Sequence, residues 1–281
     1  MLTKKKINLR LISQILFFII IAAITVNHSL AEQGSAVEAV PSASIHAVCP
    51  FGGVVSIYRF VTQGSFVQKV HEASFSLMVI VFFSAVLFGP VFCGWVCPFG
   101  SFQEWVGKLG RRFFGRRYNS LVPRKADRLL GYLRYLVLVW VVYATAVSAK
   151  LVFSTYDPYS ALFTFWTSEV QLTAVAILIL VILASLFVER PWCKYACPYG
   201  ALLGLTNLVR PFSIRREPST CISCGKCDRT CPMNIKVSES TNVRDTRCIS
   251  CMECTSGSAC PVKETVELTA PSPRRSANEA E

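Results

Sequence analysis

FCGWVCPFG, residues 92–100, closes one long apolar run, and WCKYACPYG, residues 192–200, closes another one hundred positions later. Each string holds two cysteines four residues apart, and the second is followed by proline, an aromatic residue and glycine. On a continuing helix such a pair would present both sulfurs on one face. Proline at 98 or 198 disfavours helix in the residue before it, so a helix is expected to stop at the second cysteine. The fixed offset reads as an internal duplication of a two-span hairpin ending in C-x3-C-P. Cys93, Cys97, Cys193 and Cys197 should then sit at one membrane depth, as candidate metal or thiol ligands of a third redox site. The plainer alternative is packing, because cysteine in apolar surroundings behaves as a small hydrophobe. Two copies in equivalent positions favour function. A partial third copy, CPFGG from Cys49 onward, lacks the earlier cysteine but has His46 nearby.

The surrounding chain is greasy. Of 281 residues, 52% are hydrophobic and 16% charged, with a mean hydropathy of +0.44. That excludes an ordinary soluble enzyme and indicates an integral membrane protein with a modest water-soluble part. Four apolar segments, about 11–30, 74–92, 132–149 and 170–188, approach the roughly 20 residues a span requires. The second ends in Gly89-Pro90, which should break or kink it just before Cys93.

Lys4, Lys5, Lys6 and Arg10 precede the first segment, and eight Lys or Arg residues from Lys108 to Arg128 separate the second from the third. Segments 31–73 and 150–169 carry very few. Both termini and the central loop are therefore expected in the cytoplasm. The net charge of +12 reflects this topology, with anionic membrane lipids as partners. Nucleic acid is not an expected partner, since the basic stretch flanks spans and carries no recognition motif. The first segment reads as an uncleaved anchor; the alternative is a signal peptide ending at Ser29-Leu30-Ala31.

Thirteen cysteines include eight between Cys221 and Cys260. CISCGKCDRTCP places Cys221, Cys224, Cys227 and Cys231 in the C-x2-C-x2-C-x3-C-P run of a bacterial-type [4Fe–4S] ferredoxin. CISCMECTSGSACP repeats it with Cys248, Cys251, Cys254 and Cys260, the last gap being five residues instead of three. In two-cluster ferredoxins the fourth cysteine of a run serves the other cluster. The expected ligand sets are Cys221, Cys224, Cys227 and Cys260 for one cluster, and Cys248, Cys251, Cys254 and Cys231 for the other. Structural zinc is the competing reading, but three close cysteines plus Cys-Pro, twice, is not the pattern of separated C-x2-C knuckles. No C-x-x-C is followed by histidine, so no c-type haem is expected.

Together, the two C-x3-C-P motifs, four spans and a two-cluster tail resemble the NapH family of quinol dehydrogenase membrane subunits. NosR-type and methylamine-utilisation ferredoxin-type membrane proteins are similar. The resemblance covers nearly the whole chain and implies electron transfer between the quinone pool and a redox partner protein. The CPFGG segment and the longer gap before Cys260 depart from the pattern.

His28, His46 and His71 fall towards the outer side. His71 at the start of the second span is a candidate catalytic proton acceptor for a quinone, and a haem held by His28 and His71 is a weaker alternative. Trp95, Trp105, Trp166 and Trp192 read as interfacial belt residues.

The expected architecture is an all-α membrane bundle of four transmembrane helices followed by a small α+β bacterial-type two-cluster ferredoxin domain. Its divisions are an N-terminal anchor at 1–31, a periplasmic segment at 32–73, a membrane core at 74–209, a cytoplasmic ferredoxin domain at 210–265 and a disordered tail at 266–281. The expected cofactors are two [4Fe–4S] clusters, with a further site at the C-x3-C-P cysteines and quinone as substrate. The location is the cytoplasmic (inner) membrane. An electron-transfer subunit is favoured over a stand-alone enzyme. An accessory, maturation or redox-sensing protein for another metalloenzyme is the second reading.

Overall fold

A computed structural model describes residues 2–32, 72–119, 121–148, 152–167 and 170–270. It opens on α1 (Leu2–Glu32), of which Leu9–Ala31, 23 residues, is long and apolar enough to cross a membrane. Its polar residues explain its place in the fold. Arg10 and Gln14 are buried, facing inward among charged partners, while Leu9, Ile12, Ile15 and Leu16 are exposed on the other sides. An apolar outer surface suits lipid, and the inward arginine ties the helix to the rest of the chain.

The duplication is visible as two copies of one local design. In the first, α2 (Glu72–Phe88) ends at Gly89, whose φ of +81° only glycine adopts without strain. Pro90 follows, then a π turn over Phe92–Val96, then α3 (Pro98–Phe114). Past the central loop lie α4 (Arg124–Leu130), α5 (Leu133–Ser148) and α6 (Pro158–Thr164). In the second copy, α7 (Leu172–Ser185) is followed by Arg190 at φ +51°, then α8 (Pro191–Tyr195) and α9 (Pro198–Leu205). Two residues separate Pro90 from Cys93 but one separates Pro191 from Cys193.

The break expected at Gly89-Pro90 is present, and the chain bends again at Arg190, so each cysteine pair sits on a new turn beyond its apolar helix. Among the described residues, Leu9–Ala31 of α1 and the stretch Lys125–Thr145 are long and apolar enough to span, whereas Ser76–Phe88 and Leu172–Ser185 are shorter apolar helices. Gly89-Pro90 stops α2, and α7 ends at Ser185, where Leu186 and Phe187 turn the chain ahead of Glu189-Arg190.

The membrane-side core sits where the two copies meet. Phe99 from α3 packs with Ala174, Leu178 and Val181 of α7 and Ala161 of α6. Val81 and Ala85 of α2 pack with Leu203 of α9. After α9, β1 (Ser213–Arg216) pairs antiparallel with β2 (Asn242–Val243) and β3 (Val266–Thr269), in the order β2-β1-β3. Ile214 faces Val243 on one side and Leu268 on the other. A single short helix, α10 (Lys226–Thr230), follows Gly225. The strands are so short that the tail is a loop-built unit around Met233, Ile235, Val237 and Ile249, not a clear α+β domain. A unit of this kind depends on bound groups for its fold.

Candidate functional site

On the membrane side, Cys97 and Cys197 occupy the N-cap positions of α3 and α9, each with proline at the first helical position. The preceding proline effect and the N-cap geometry place both cysteines at the same structural point. The Cys197 Sγ accepts from the Gly200 N–H at 3.2 Å. Gln103 of α3 then locks the second copy: its Oε1 accepts from the Trp192 N–H at 3.0 Å, and its Nε2 donates to the Cys193 Sγ at 3.5 Å. Burial, and then Cys97 and Cys193, pushes the Cys93 thiol up. Burial followed by Cys193 and Cys93 does the same to Cys197. The four thiols are therefore electrostatic neighbours. Among the described residues no three His, Cys, Asp or Glu side chains stand closely enough to grip one ion. A cubane differs, because each of its four irons takes its own thiolate and spreads the ligands around it.

Beside these cysteines lies a buried ion cluster. Glu104 of α3 accepts from Arg10 and from Arg190, both at 2.6 Å. Arg190 also donates to the Cys93 carbonyl at 2.6 Å, and Arg10 to the Gly94 carbonyl at 3.1 Å and to Glu253. Burial alone would raise Glu104, but Arg190 and then Arg10 hold it down at about 2. A second cluster joins Asp127 to Lys194 at 3.1 Å, to the Tyr195 hydroxyl and to Arg247 at 3.6 Å.

In the tail, Cys231, Cys248, Cys251 and Cys254 line one tight cavity of about 20 Å³, walled by Ile214, Met233 and Ile235. Cys231 thus leaves its own run and joins the second. Burial, then Cys251, raises the Cys231 thiol. Cys227 is buried, Cys221 half-buried and Cys224 exposed. Cys260 turns its sulfur to the Val262 carbonyl at 3.3 Å. Both runs share an unusual backbone: Ser223 and Gly225 in the first, and Ser250 and Met252 in the second, all have positive φ. Left-handed conformation at serine and methionine is uncommon and clusters at ligand clamps. It curls each loop tightly on either side of its second cysteine. Soft thiolates, apolar walls and strained loops fit an iron–sulfur group.

His28 is half-buried on α1. His46, Cys49 and His71 lie outside the described residues. Trp95 is not a belt residue, since its Nε1 donates to the Ser250 carbonyl at 3.1 Å; Trp192 packs inward on Phe153. Sequence reading missed Arg10, Gln103, Glu104, Arg190, Asn207 and Arg210. Charged residues immediately beside apolar runs, above all Glu189-Arg190, were the available signal.

A family model described as a 4Fe-4S binding domain matches the chain twice, over residues 70–117 and 170–217, the two C-x3-C-P copies. The putative electron transport protein YccM of Escherichia coli is 35% identical over 231 residues, covering 80% of this chain and 63% of that protein. An uncharacterized protein of Methanocaldococcus jannaschii is 32% identical over 88% of this chain and 90% of its own length. The ferredoxin-type protein NapH of Haemophilus influenzae is 32% identical over 63% of this chain and 62% of its own. The chain thus spans somewhat less than two thirds of YccM and of NapH. No solved structure matches. The chain belongs to the NapH/NosR-like family of ferredoxin-type 4Fe-4S proteins.

Proposed function

We propose that this chain is a multi-pass inner-membrane protein that passes electrons between the quinone pool and a redox partner protein through two tail [4Fe–4S] groups. The observation that carries the reading is the meeting of Cys231 with Cys248, Cys251 and Cys254 in one apolar cavity. In this reading those four hold one group, while Cys221, Cys224, Cys227 and Cys260 hold the other. A bound [4Fe–4S] group supplies reversible one-electron transfer.

The chain's residues tune that chemistry. The Ile214, Met233, Ile235 and Val243 side chains exclude water around the inner thiolates, which strengthens every charge interaction there. Arg210 donates to the Cys248 Sγ at 3.8 Å from a buried position, and hydrogen bonds to ligand sulfurs are among the determinants of cluster potential. Cys93, Cys97, Cys193 and Cys197 form a further redox site between the membrane and the tail, supported by the double 4Fe-4S domain match over them. The reading also includes four spans, a cytoplasmic tail and His71 as the proton acceptor on the outer side.

Iron and sulfide analysis of the full chain, purified anaerobically, tests it. The tail should account for about eight irons and eight sulfides, with any iron at the C-x3-C-P cysteines in addition, and both tail groups should be reducible, as followed by electron paramagnetic resonance. A chain that takes up only zinc under anaerobic reconstitution would refute the proposal.

A further inference from the structure

We infer that the two tail sets are unequal. Cys231, Cys248, Cys251 and Cys254 form an inner port seated on the first C-x3-C-P turn. Cys221, Cys224, Cys227 and Cys260 form an outer port, reached from the membrane core only through the inner one. This rests on the electron-transfer reading above and adds its order.

The seat is Gly94, between Cys93 and Cys97. A Cβ there would lie 2.5 Å from the Ile249 carbonyl oxygen and 3.2 Å from the Cys251 Cα. Only a residue without a side chain lets the two backbones approach so closely. The same contact is fastened on several sides. The Trp95 Nε1 donates to the Ser250 carbonyl at 3.1 Å, and Arg10 bridges Gly94 to Glu253. Beyond α9, Asn207 donates to the Cys248 carbonyl at 2.8 Å and Arg210 to the Ser250 Oγ at 2.7 Å. Cys93 itself packs against the tail core. Residues from α1, the first C-x3-C-P turn and the end of α9 thus converge on residues 248–253.

The first run is the more exposed, although its Cys227 reaches into the core beside Cys254. Cys224 is exposed, and Ile222 is 63% exposed. Because electron transfer weakens steeply with distance, a group reached through Gly94 and Cys251 meets the inner set first. In each hop the donor set loses one electron and the acceptor set gains it. Within a hop no bond is made or broken and no proton moves; a quinol that supplies the electrons gives up two electrons, in two such steps, and two protons as it becomes quinone. The first reductant is a membrane quinol or, in the assay, dithionite.

The test uses the full chain, purified anaerobically in detergent. Iron release to a hydrophilic chelator should be biphasic in the unaltered protein, with about four irons leaving first. Cys224→Ser should lack the fast phase and keep the slow one. Gly94→Val should retain its iron but raise hydrogen exchange across 248–254 and leave exchange across 221–227 unchanged. Its quinol-driven reduction should slow severalfold, with dithionite reduction unaltered. If Gly94→Val does not fold, Gly94→Ala introduces the same Cβ alone and is read identically. A fast phase that persists in Cys224→Ser, or unchanged exchange across 248–254 in the Gly94 variant, overturns the order. If the unaltered protein takes no electrons from quinol, the electron-transfer reading fails by itself. The chelator phases and exchange pattern still decide which set is inner.

Discussion

Replacing Glu104 by alanine should be among the most damaging single changes to the membrane-side core. The carboxylate lies between two guanidiniums, each at 2.6 Å, and the Glu104, Arg10 and Arg190 side chains are 8%, 5% and 0% exposed. Removing it leaves two buried cations facing each other, and breaking a buried pair in this way costs about 3–5 kcal/mol. The titration behaviour gives a similar figure. Glu104 is held down from 4.5 to about 2, a gap corresponding to roughly 3 kcal/mol. Arg10 keeps Glu253 and Arg190 keeps the Cys93 carbonyl, which favours the lower end. At about 2–4 °C per kcal/mol for a chain of this order of size, Tm should fall by about 6–15 °C.

Tryptophan fluorescence during heating in detergent reads this directly, with Glu104→Gln as the variant that keeps shape without charge. The folded pKa lies below the unfolded one. The stabilisation is therefore complete above about pH 4.5 and fades as pH falls towards 2. The difference between the unaltered protein and Glu104→Gln should narrow over that window. A Glu104→Ala shift below about 2 °C would refute the argument, because the two arginines would then not depend on their shared anion.

Three further outcomes are expected. Cys231→Ser should lower bound iron by about four per chain and loosen the Met233 and Ile235 packing, by iron analysis and hydrogen exchange. Reporter fusions after Lys69 and Thr164 should read periplasmic, and those after Tyr118 and Ser219 cytoplasmic; a cytoplasmic Thr164 would break the hairpin duplication. Gly89→Val places a side chain at φ +81° and within 2.5 Å of the Arg210 Nη1, so stability measured by thermal unfolding should drop by about 1–3 kcal/mol.

The parts of this molecule governed by local chemistry were legible in the sequence. Proline after Cys97 and Cys197 set the starts of α3 and α9, and Gly89-Pro90 set the end of α2. The two cysteine runs announced their curled loops. Pairings between distant segments were not legible. Arg10 and Glu104 are 94 residues apart, and each read as one more topological or surface charge until the fold brought them together. The second and fourth apolar segments are shorter as helices than as hydropathy runs. Hydropathy continues through 92 and 188, but positive φ at Gly89 ends α2 before its run is over, and α7 stops at Ser185. Trp95 looked like an interfacial anchor because its partner, Ser250, lies 155 residues away.

The central claim is that electrons enter the tail from the membrane core through the C-x3-C-P cysteines. Stopped-flow mixing of the anaerobic full chain in lipid nanodiscs with a reduced quinone tests it most directly, with visible bleaching as the signal. The unaltered protein should bleach, and Cys193→Ser should bleach slowly or not at all with quinol while responding normally to dithionite. Quinol bleaching at an unchanged rate in Cys193→Ser would contradict the account and return the four cysteines to ordinary packing.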